Sequence, residues 1–137
     1  MKKRFLLALI LGVIFANGAF AGPAYIAGVW TGDGEAILPN GEICEIELIE
    51  GTVFQDGTLL HGTFDFEVES DSSCVGGEGI PFTGNISAGN RIKAILSVPG
   101  IGPIGVLDAK LKGKTISGVL VDFTDGSTSI FNVTSDD

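Results

Sequence analysis

Short apolar runs alternate with turn residues along most of the chain. After Ala21, stretches rich in Val, Ile, Phe and Thr are separated by Gly, Asn and Asp, and no segment has a sustained apolar repeat at helical spacing. Runs bounded in this way are typical of β-strands. The pattern predicts eight strands, over Tyr25–Leu38, Ile43–Phe54, Thr58–Glu69, Ile80–Ser87, Asn90–Val98, Ile104–Leu111, Thr115–Phe123 and Ser127–Val133.

Short turns between consecutive strands predict an antiparallel up-and-down sheet. An open sheet would leave two unpaired edges, which closure removes. A barrel of eight strands has an interior that either is filled by side chains or holds one small ligand. The predicted fold is therefore all-β, a single antiparallel up-and-down eight-stranded barrel, with a β-sandwich as the alternative.

Two turns allow the strand register to be predicted. At Gln55-Asp56-Gly57, a three-residue loop keeps the apolar residues of both strands on one face. The predicted pairs are Cys44 with Val68, Ile46 with Phe66, Leu48 with Phe64, Glu45 with Glu67 and Glu47 with Asp65. A three-residue turn at Thr124-Asp125-Gly126 pairs Val119 with Phe131 and Val121 with Ser129. The strand Thr115–Phe123 is apolar on both faces, which leaves its orientation open.

Residues Met1–Ala21 have the features of a secretory signal peptide. Lys2, Lys3 and Arg4 precede an apolar run, and Ala19-Phe20-Ala21 matches a small-x-small cleavage site. The apolar run is shorter than the roughly 20 residues that span a bilayer. We expect cleavage after Ala21, a single barrel domain over 22–137, and a secreted or periplasmic location.

The charge balance excludes some partners. The chain has 17 acidic and 8 basic residues, and cleavage would leave five basic residues and a net charge of −12. An acidic chain of this kind is a poor ligand for nucleic acid or anionic lipid. The predicted outer face is acidic and lacks aromatic girdles, so we expect the mature chain not to be embedded in a membrane.

Cys44 and Cys74 are the two cysteines of the chain. An even cysteine count in an exported protein indicates a disulfide. The bond would close a loop of about 30 residues and stabilise the fold by roughly 3–4 kcal/mol. No C-x-x-C pair is present, and two thiolates with one His make a poor zinc site.

Four acidic residues form a candidate cation patch on the second and third strands: Glu45, Glu47, Asp65 and Glu67. Like charges directly across strands are destabilising, and bound Ca²⁺ would relieve that repulsion. The competing interpretation is a solvated acidic face. We expect no other cofactor and assign no other metal site.

His61 is the single histidine, and nothing near it resembles a nucleophile motif. Carboxylates are plentiful, but aromatic platforms for a sugar substrate are scarce. We therefore expect the protein not to be an enzyme.

The segment Val98–Ile104 is apolar and contains Pro99, Ile101 and Pro103. Pro disfavours a central strand, so these residues are a candidate lid or partner-binding loop, or else a plug folded over the barrel end.

Gly28-Val29-Trp30 in the first strand resembles the Gly-x-Trp element that opens lipocalin-type and avidin-type barrels. The resemblance implies that Trp30 packs across the barrel floor. In plan, the chain is also similar to small periplasmic barrel inhibitors of metalloproteases.

Two functions follow from these expectations. The first is a binding module that holds a small apolar ligand inside the barrel, and the second is a protein-interaction role as a protease inhibitor or surface adaptor. A filled interior would favour the second. The side chains predicted to face inward are bulky, which favours a filled interior. They are Phe64, Phe66, Val68, Phe82, Ile86, Leu96 and Phe131.

Overall fold

The computed structural model of the chain describes residues 23–70 and 73–135. The predicted signal peptide, 1–21, lies outside them. The described residues form eight strands: β1 Gly28–Ile37, β2 Ile43–Asp56, β3 Leu59–Val68, β4 Gly77–Ile86, β5 Arg91–Val98, β6 Gly102–Lys112, β7 Thr115–Asp122 and β8 Thr128–Ser135. Each corresponds to a strand predicted from the sequence.

The eight strands form one closed antiparallel barrel in which each strand pairs with its neighbours in sequence. β1 closes the barrel against β8, with pairs that run from Trp30 opposite Ser135 to Ile37 opposite Thr128. The up-and-down barrel prediction is therefore confirmed over the sandwich alternative. Among the strands described, closure leaves no unpaired sheet edge for another chain to extend.

The two ends of the barrel are distinct. We call the end with the β2–β3, β4–β5 and β6–β7 turns the floor, and the end with the other four turns the mouth. One core cluster includes Trp30, Ile26, Leu60, Ile86, Ile92 and Leu111, with partly buried Val53 and Phe82 against it. A second, smaller cluster of Ala36, Cys44 and Ile46 lies at the mouth.

The predicted register of the β2–β3 hairpin is wrong. Asp56 pairs with Leu59 across a two-residue turn, and Leu48 lies opposite Glu67 rather than Phe64. The cause is the turn, which consists of residues 57–58 rather than 55–57 and shifts the pairing by three residues. A bulge between Ile46 and Leu48 then changes the pairing by one residue and reverses which side chains of β2 face the core. Leu48 and Phe54 are consequently exposed.

The predicted register of the β7–β8 hairpin is wrong by one residue. The turn has four residues, 123–126, and the backbone N–H of Asp122 donates to the carbonyl of Ser127 at 3.0 Å. Val119 therefore lies opposite Ile130, and Val121 opposite Thr128. This register places Leu120 in the interior and Val121 on the outer face, which settles the orientation of β7.

Glycines allow the strands to approach closely where the barrel curves. Between β1 and β2 the register shifts between Gly32 and Gly34, which marks a bulge. A Cβ atom on Gly34 would lie 3.0 Å from the Cα atom of Phe131 in β8 and would collide with the carbonyl of Ile130. A side chain at this position would therefore push apart the two strands that close the barrel.

No helix among the described residues is long and apolar enough to cross a membrane.

Candidate functional site

The barrel interior contains a cavity of about 160 Å³. This exceeds the roughly 10–15 Å³ that one water needs. Its wall is mostly apolar and runs from Ile26 and Leu60 near the floor to Ala36, Val68 and Cys74 at the mouth. A concave, mostly apolar cavity with a few polar groups is the usual form of a small-molecule site.

The interior stays partly open although its predicted residues are bulky. Five of those residues line the cavity: Phe64, Phe66, Val68, Phe82 and Phe131. Small residues lie elsewhere on the cavity wall, at Ala36, Gly51 and Ala94. The sequence-based expectation of a filled interior counted the large side chains and missed these small ones.

Phenylalanines form one side of the cavity. The ring centroids of Phe64 and Phe66 on β3 are 6.0 Å apart, and Phe64 lies 6.2 Å from Phe82 on β4. These separations are within the favourable range for aromatic pairs. The rings therefore give the cavity a mutually supported aromatic wall.

The polar part of the cavity lies at the mouth, on the β7–β8 hairpin. Ser127 and Ser129 are 5% and 8% exposed and line the cavity together with Asp122 and Asp125. The backbone N–H of Ser127 donates to Asp125 Oδ1 at 2.8 Å, and the N–H of Thr124 donates to Asp122 Oδ1 at 2.8 Å. Within residues 23–70 and 73–135, neither serine hydroxyl has a hydrogen-bond partner.

Trp30 lies near the floor and is 6% exposed. Its indole Nε1 donates to the carbonyl of Ile26 at 2.8 Å. Gln55 holds the same N-terminal segment, because its Oε1 accepts from the N–H of Ile26 at 2.7 Å and its Nε2 donates to the carbonyl of Ala24 at 2.9 Å. The N-terminal segment is thereby held against the floor end of the barrel.

The predicted disulfide between Cys44 and Cys74 is confirmed, with a Cα–Cα distance of 6.2 Å. Cys44 is fully buried at the start of β2, and Cys74 precedes β4 and lines the cavity. The bond therefore fastens the β3–β4 connection to the barrel wall at the mouth.

The four residues of the candidate cation patch do not pair as predicted. Asp65 lies opposite Glu50 and accepts a hydrogen bond from the N–H of Gly79 at 2.6 Å. Glu67 lies opposite Leu48, and Glu45 lies opposite Glu35 of β1, while Glu47 occupies the bulge. No group of three or more His, Cys, Asp or Glu residues that could hold a metal ion occurs in the described parts of the chain. Calcium binding stays a prediction, but the cross-strand pairing on which it was based is wrong.

The predicted apolar loop is a tight turn followed by a strand. The N–H of Ile101 donates to the carbonyl of Val98 at 3.0 Å, with Pro99 and Gly100 at the corner. Pro103 belongs to β6 rather than to a loop. Neither proline nor Ile101, which is 75% exposed, lines the cavity, so these residues form neither a plug nor a lid in this structure.

His61 lies on the outer face and stacks on Phe54, with ring centroids 5.2 Å apart. It is exposed and does not line the cavity.

A second apolar surface lies on the outer wall of the barrel. Ile95, Val106 and Val121 are exposed and lie directly opposite one another on β5, β6 and β7. Val119 and Ile130 extend this surface toward β8. We call these five residues the outer apolar row.

Sequence reasoning missed the two buried serines and the outer apolar row. Ser127 directly precedes β8 and Ser129 lies within it, and every second residue from Ser127 onward faces inward, through Phe131 and Val133. This alternation is the signal that could have located the two serines. The outer apolar row was hidden because β7 is apolar on both faces.

In comparisons with known proteins, no family model, no curated protein and no solved structure matches this chain. The likeness to lipocalin-type proteins rests on the closed eight-stranded antiparallel barrel, with which that fold is compatible, and on Gly28-Val29-Trp30.

Proposed function

We propose that this protein is an exported, non-enzymatic binding protein that holds one small apolar molecule inside its barrel, as lipocalin-type proteins do. The observation that carries the proposal is the cavity of about 160 Å³ inside the closed barrel. A protein interior is normally packed to the density of an organic crystal, and an apolar cavity of this size can hold a small apolar molecule.

Export is supported by two independent features. The segment Met1–Ala21 has the charge, apolar run and cleavage motif of a signal peptide. The Cys44–Cys74 disulfide is of the kind that persists in an oxidising compartment such as the periplasm or the extracellular space.

The direct test is native mass spectrometry of the protein purified from its source, followed by titration with the neutral apolar dye N-phenyl-1-naphthylamine. We expect co-purified small-molecule mass or, for the emptied protein, saturable dye fluorescence with one site per chain. A protein that carries nothing and does not bind the dye would overturn the proposal.

A cavity-filling variant locates the dye. Gly51 faces the cavity, and a Cβ atom there would meet only ordinary contacts, the nearest being Phe64 Cβ at 3.6 Å. Gly51→Leu should therefore fill the cavity without moving the backbone and weaken dye binding at least about tenfold. Thr52→Leu adds an apolar side chain at the next position, on the outer face, and should leave binding unchanged.

The second candidate function is a protein-interaction role, and the outer apolar row favours it. Contiguous exposed apolar surface marks interaction sites in soluble proteins. The variant Val106→Thr/Val121→Thr should lose a partner retained by the wild type, whereas Ile43→Thr, an exposed apolar change at the mouth end of β2, should keep it. A capture experiment with the wild type and both variants as bait distinguishes this role from ligand binding, because Val106, Val121 and Ile43 do not line the cavity.

A further inference from the structure

The mouth of the cavity presents hydrogen-bonding groups that lack partners. Ser127 and Ser129 are more than nine-tenths buried and line the cavity, and their hydroxyls have no partner in the described residues. Ser129 sits between Ala36 of β1 and Leu120 of β7, neither of which carries a polar side-chain atom. Buried polar groups are almost always paired, so these hydroxyls point to a polar atom of the occupant.

The charges around these hydroxyls have one sign. Asp122 and Asp125 line the same end of the cavity, and no Lys or Arg within residues 23–70 and 73–135 lines it. The five basic residues after the predicted signal peptide are Arg91, Lys93, Lys110, Lys112 and Lys114, and all lie toward the floor on β5, β6 and the β6–β7 turn. A negatively charged group at the mouth would therefore face two carboxylates without a nearby cation.

Both carboxylates also accept hydrogen bonds within the turn, and these bonds can be kept when the charge is removed. Asp122 Oδ1 accepts hydrogen bonds from the N–H and the hydroxyl of Thr124, and Asp125 Oδ1 accepts from the N–H of Ser127. The side chain of Asn offers the same acceptor oxygen without the charge. The electrostatic contribution can thus be separated from the turn itself.

We propose that the cavity selects an apolar ligand whose polar end donates hydrogen bonds and carries no negative charge, such as an alcohol or a protonated amine rather than a carboxylate. This inference rests on the proposed function. The apolar part of the ligand lies against the phenylalanine wall, and its polar end meets the hydroxyls of Ser127 and Ser129 at the mouth.

The test compares 1-decanol, decylamine and decanoate, which share one apolar chain, as competitors of N-phenyl-1-naphthylamine at neutral pH. We expect decanol and decylamine to displace the dye at concentrations about tenfold lower than decanoate. The variant Asp122→Asn/Asp125→Asn should bind decanoate more tightly than the wild type does. The difference in affinity between decanol and decanoate should therefore become smaller.

The serine contribution is tested in the same assay. Ser127→Ala/Ser129→Ala should weaken decanol binding about threefold to tenfold while leaving binding of pyrene, which has no polar end, unchanged. Ser117→Ala is the matched control, because its hydroxyl lies on the outside of the same hairpin, bonded to Asn132 at 2.5 Å. Thermal unfolding of each variant verifies that it is folded.

The outcomes separate this inference from the proposed function. Failure of every probe, the dye and pyrene included, would overturn both. Dye binding with equal or tighter affinity for decanoate would overturn the inference and leave the binding function standing. Unchanged decanol affinity in the serine variant would assign the hydroxyls to bound water and would also overturn the inference.

Discussion

At the scale of single residues, Trp30 holds the N-terminal segment by a hydrogen bond near the floor of the barrel. The indole is 6% exposed, and its Nε1 donates to the carbonyl of Ile26. Burial of the ring therefore makes a large apolar contribution to stability, and the polar Nε1 atom keeps a hydrogen-bond partner, as is usual for buried indoles.

Replacing this side chain should strongly destabilise the protein. Because the ring is almost fully buried, Trp30→Ala should lower the free energy of unfolding by about 3–5 kcal/mol. Chemical denaturation followed by circular dichroism measures the loss. Trp30→Phe is the matched control: it keeps an aromatic ring but loses the hydrogen bond to Ile26, and it should cost less than Trp30→Ala. An alanine variant as stable as the wild type would contradict the buried position.

The sequence alone allowed the strand with Trp30 to be placed, but not the contact of its indole. The tripeptide Gly28-Val29-Trp30 indicated a floor position by resemblance. The acceptor is a backbone carbonyl, however, and the segment that carries it is fixed by the side chain of Gln55. Gln55 was expected in a turn, and nothing in the local pattern indicated that it bonds residues about 30 positions away.

At the scale of strands and turns, the existence and order of the elements follow from the apolar pattern, whereas their registers do not. All eight strands were predicted, because each run ends at a clear turn signal. The register predictions failed at two turns, which have two residues after Asp56 and four after Asp122 where three were predicted, and at the bulge between Ile46 and Leu48. A bulge depends on how two strands coil around the barrel, so a single strand's alternation does not reveal it.

The corrected β2–β3 register predicts which engineered cysteines form a cross-link. Thr52 lies directly opposite Thr63 on the outer face, so Thr52→Cys/Thr63→Cys should oxidise to a disulfide in the folded protein. Intact mass spectrometry with and without alkylation detects the bond. The control Thr52→Cys/Thr58→Cys places the second thiol in the turn and should stay unlinked. A cross-link in the control pair and none between positions 52 and 63 would contradict the register of the structure.

The native disulfide should stabilise the mouth of the barrel. Removing it in Cys44→Ala/Cys74→Ala frees the β3–β4 connection from the wall, and the chain-entropy estimate for a loop of this length is a loss of about 3–4 kcal/mol. Denaturant unfolding of the double variant against the wild type measures the loss. The variant should also bind N-phenyl-1-naphthylamine more weakly, because Cys74 lines the cavity. Unchanged stability would contradict a structural role for the bond.

At the scale of the whole molecule, the two ends of the barrel carry different charged side chains. Asp122 and Asp125 stand at the mouth, whereas Arg91 and Lys93 stand toward the floor and share Asp108 at 3.6 Å and 3.4 Å. The sequence shows only that acidic residues outnumber basic ones. Only the closed topology converts this excess into a difference between the two ends of one cavity, which is why the candidate site emerged from the structure and not from the sequence.

Closure of the barrel makes its stability a property of all eight strands together. β1 and β8 meet where Gly34 lies against Phe131. A side chain at Gly34 would force these strands apart. Opening the β1–β8 pairing, which we call the seam, would expose two strand edges and the cavity at once. We therefore expect Gly34→Val to destabilise distant strands as well as β1 and β8.

Hydrogen exchange measured strand by strand tests this expectation. In Gly34→Val, amide exchange should accelerate in β4 and β5, on the far side of the barrel, by the same factor as in β1 and β8, because the sheet then opens as one unit. Gly51→Ala is the control, since a Cβ atom at Gly51 meets only ordinary contacts, and it should leave exchange in all strands near the wild-type rate. Acceleration confined to β1 and β8 would show instead that the seam frays locally while the rest of the barrel stays folded.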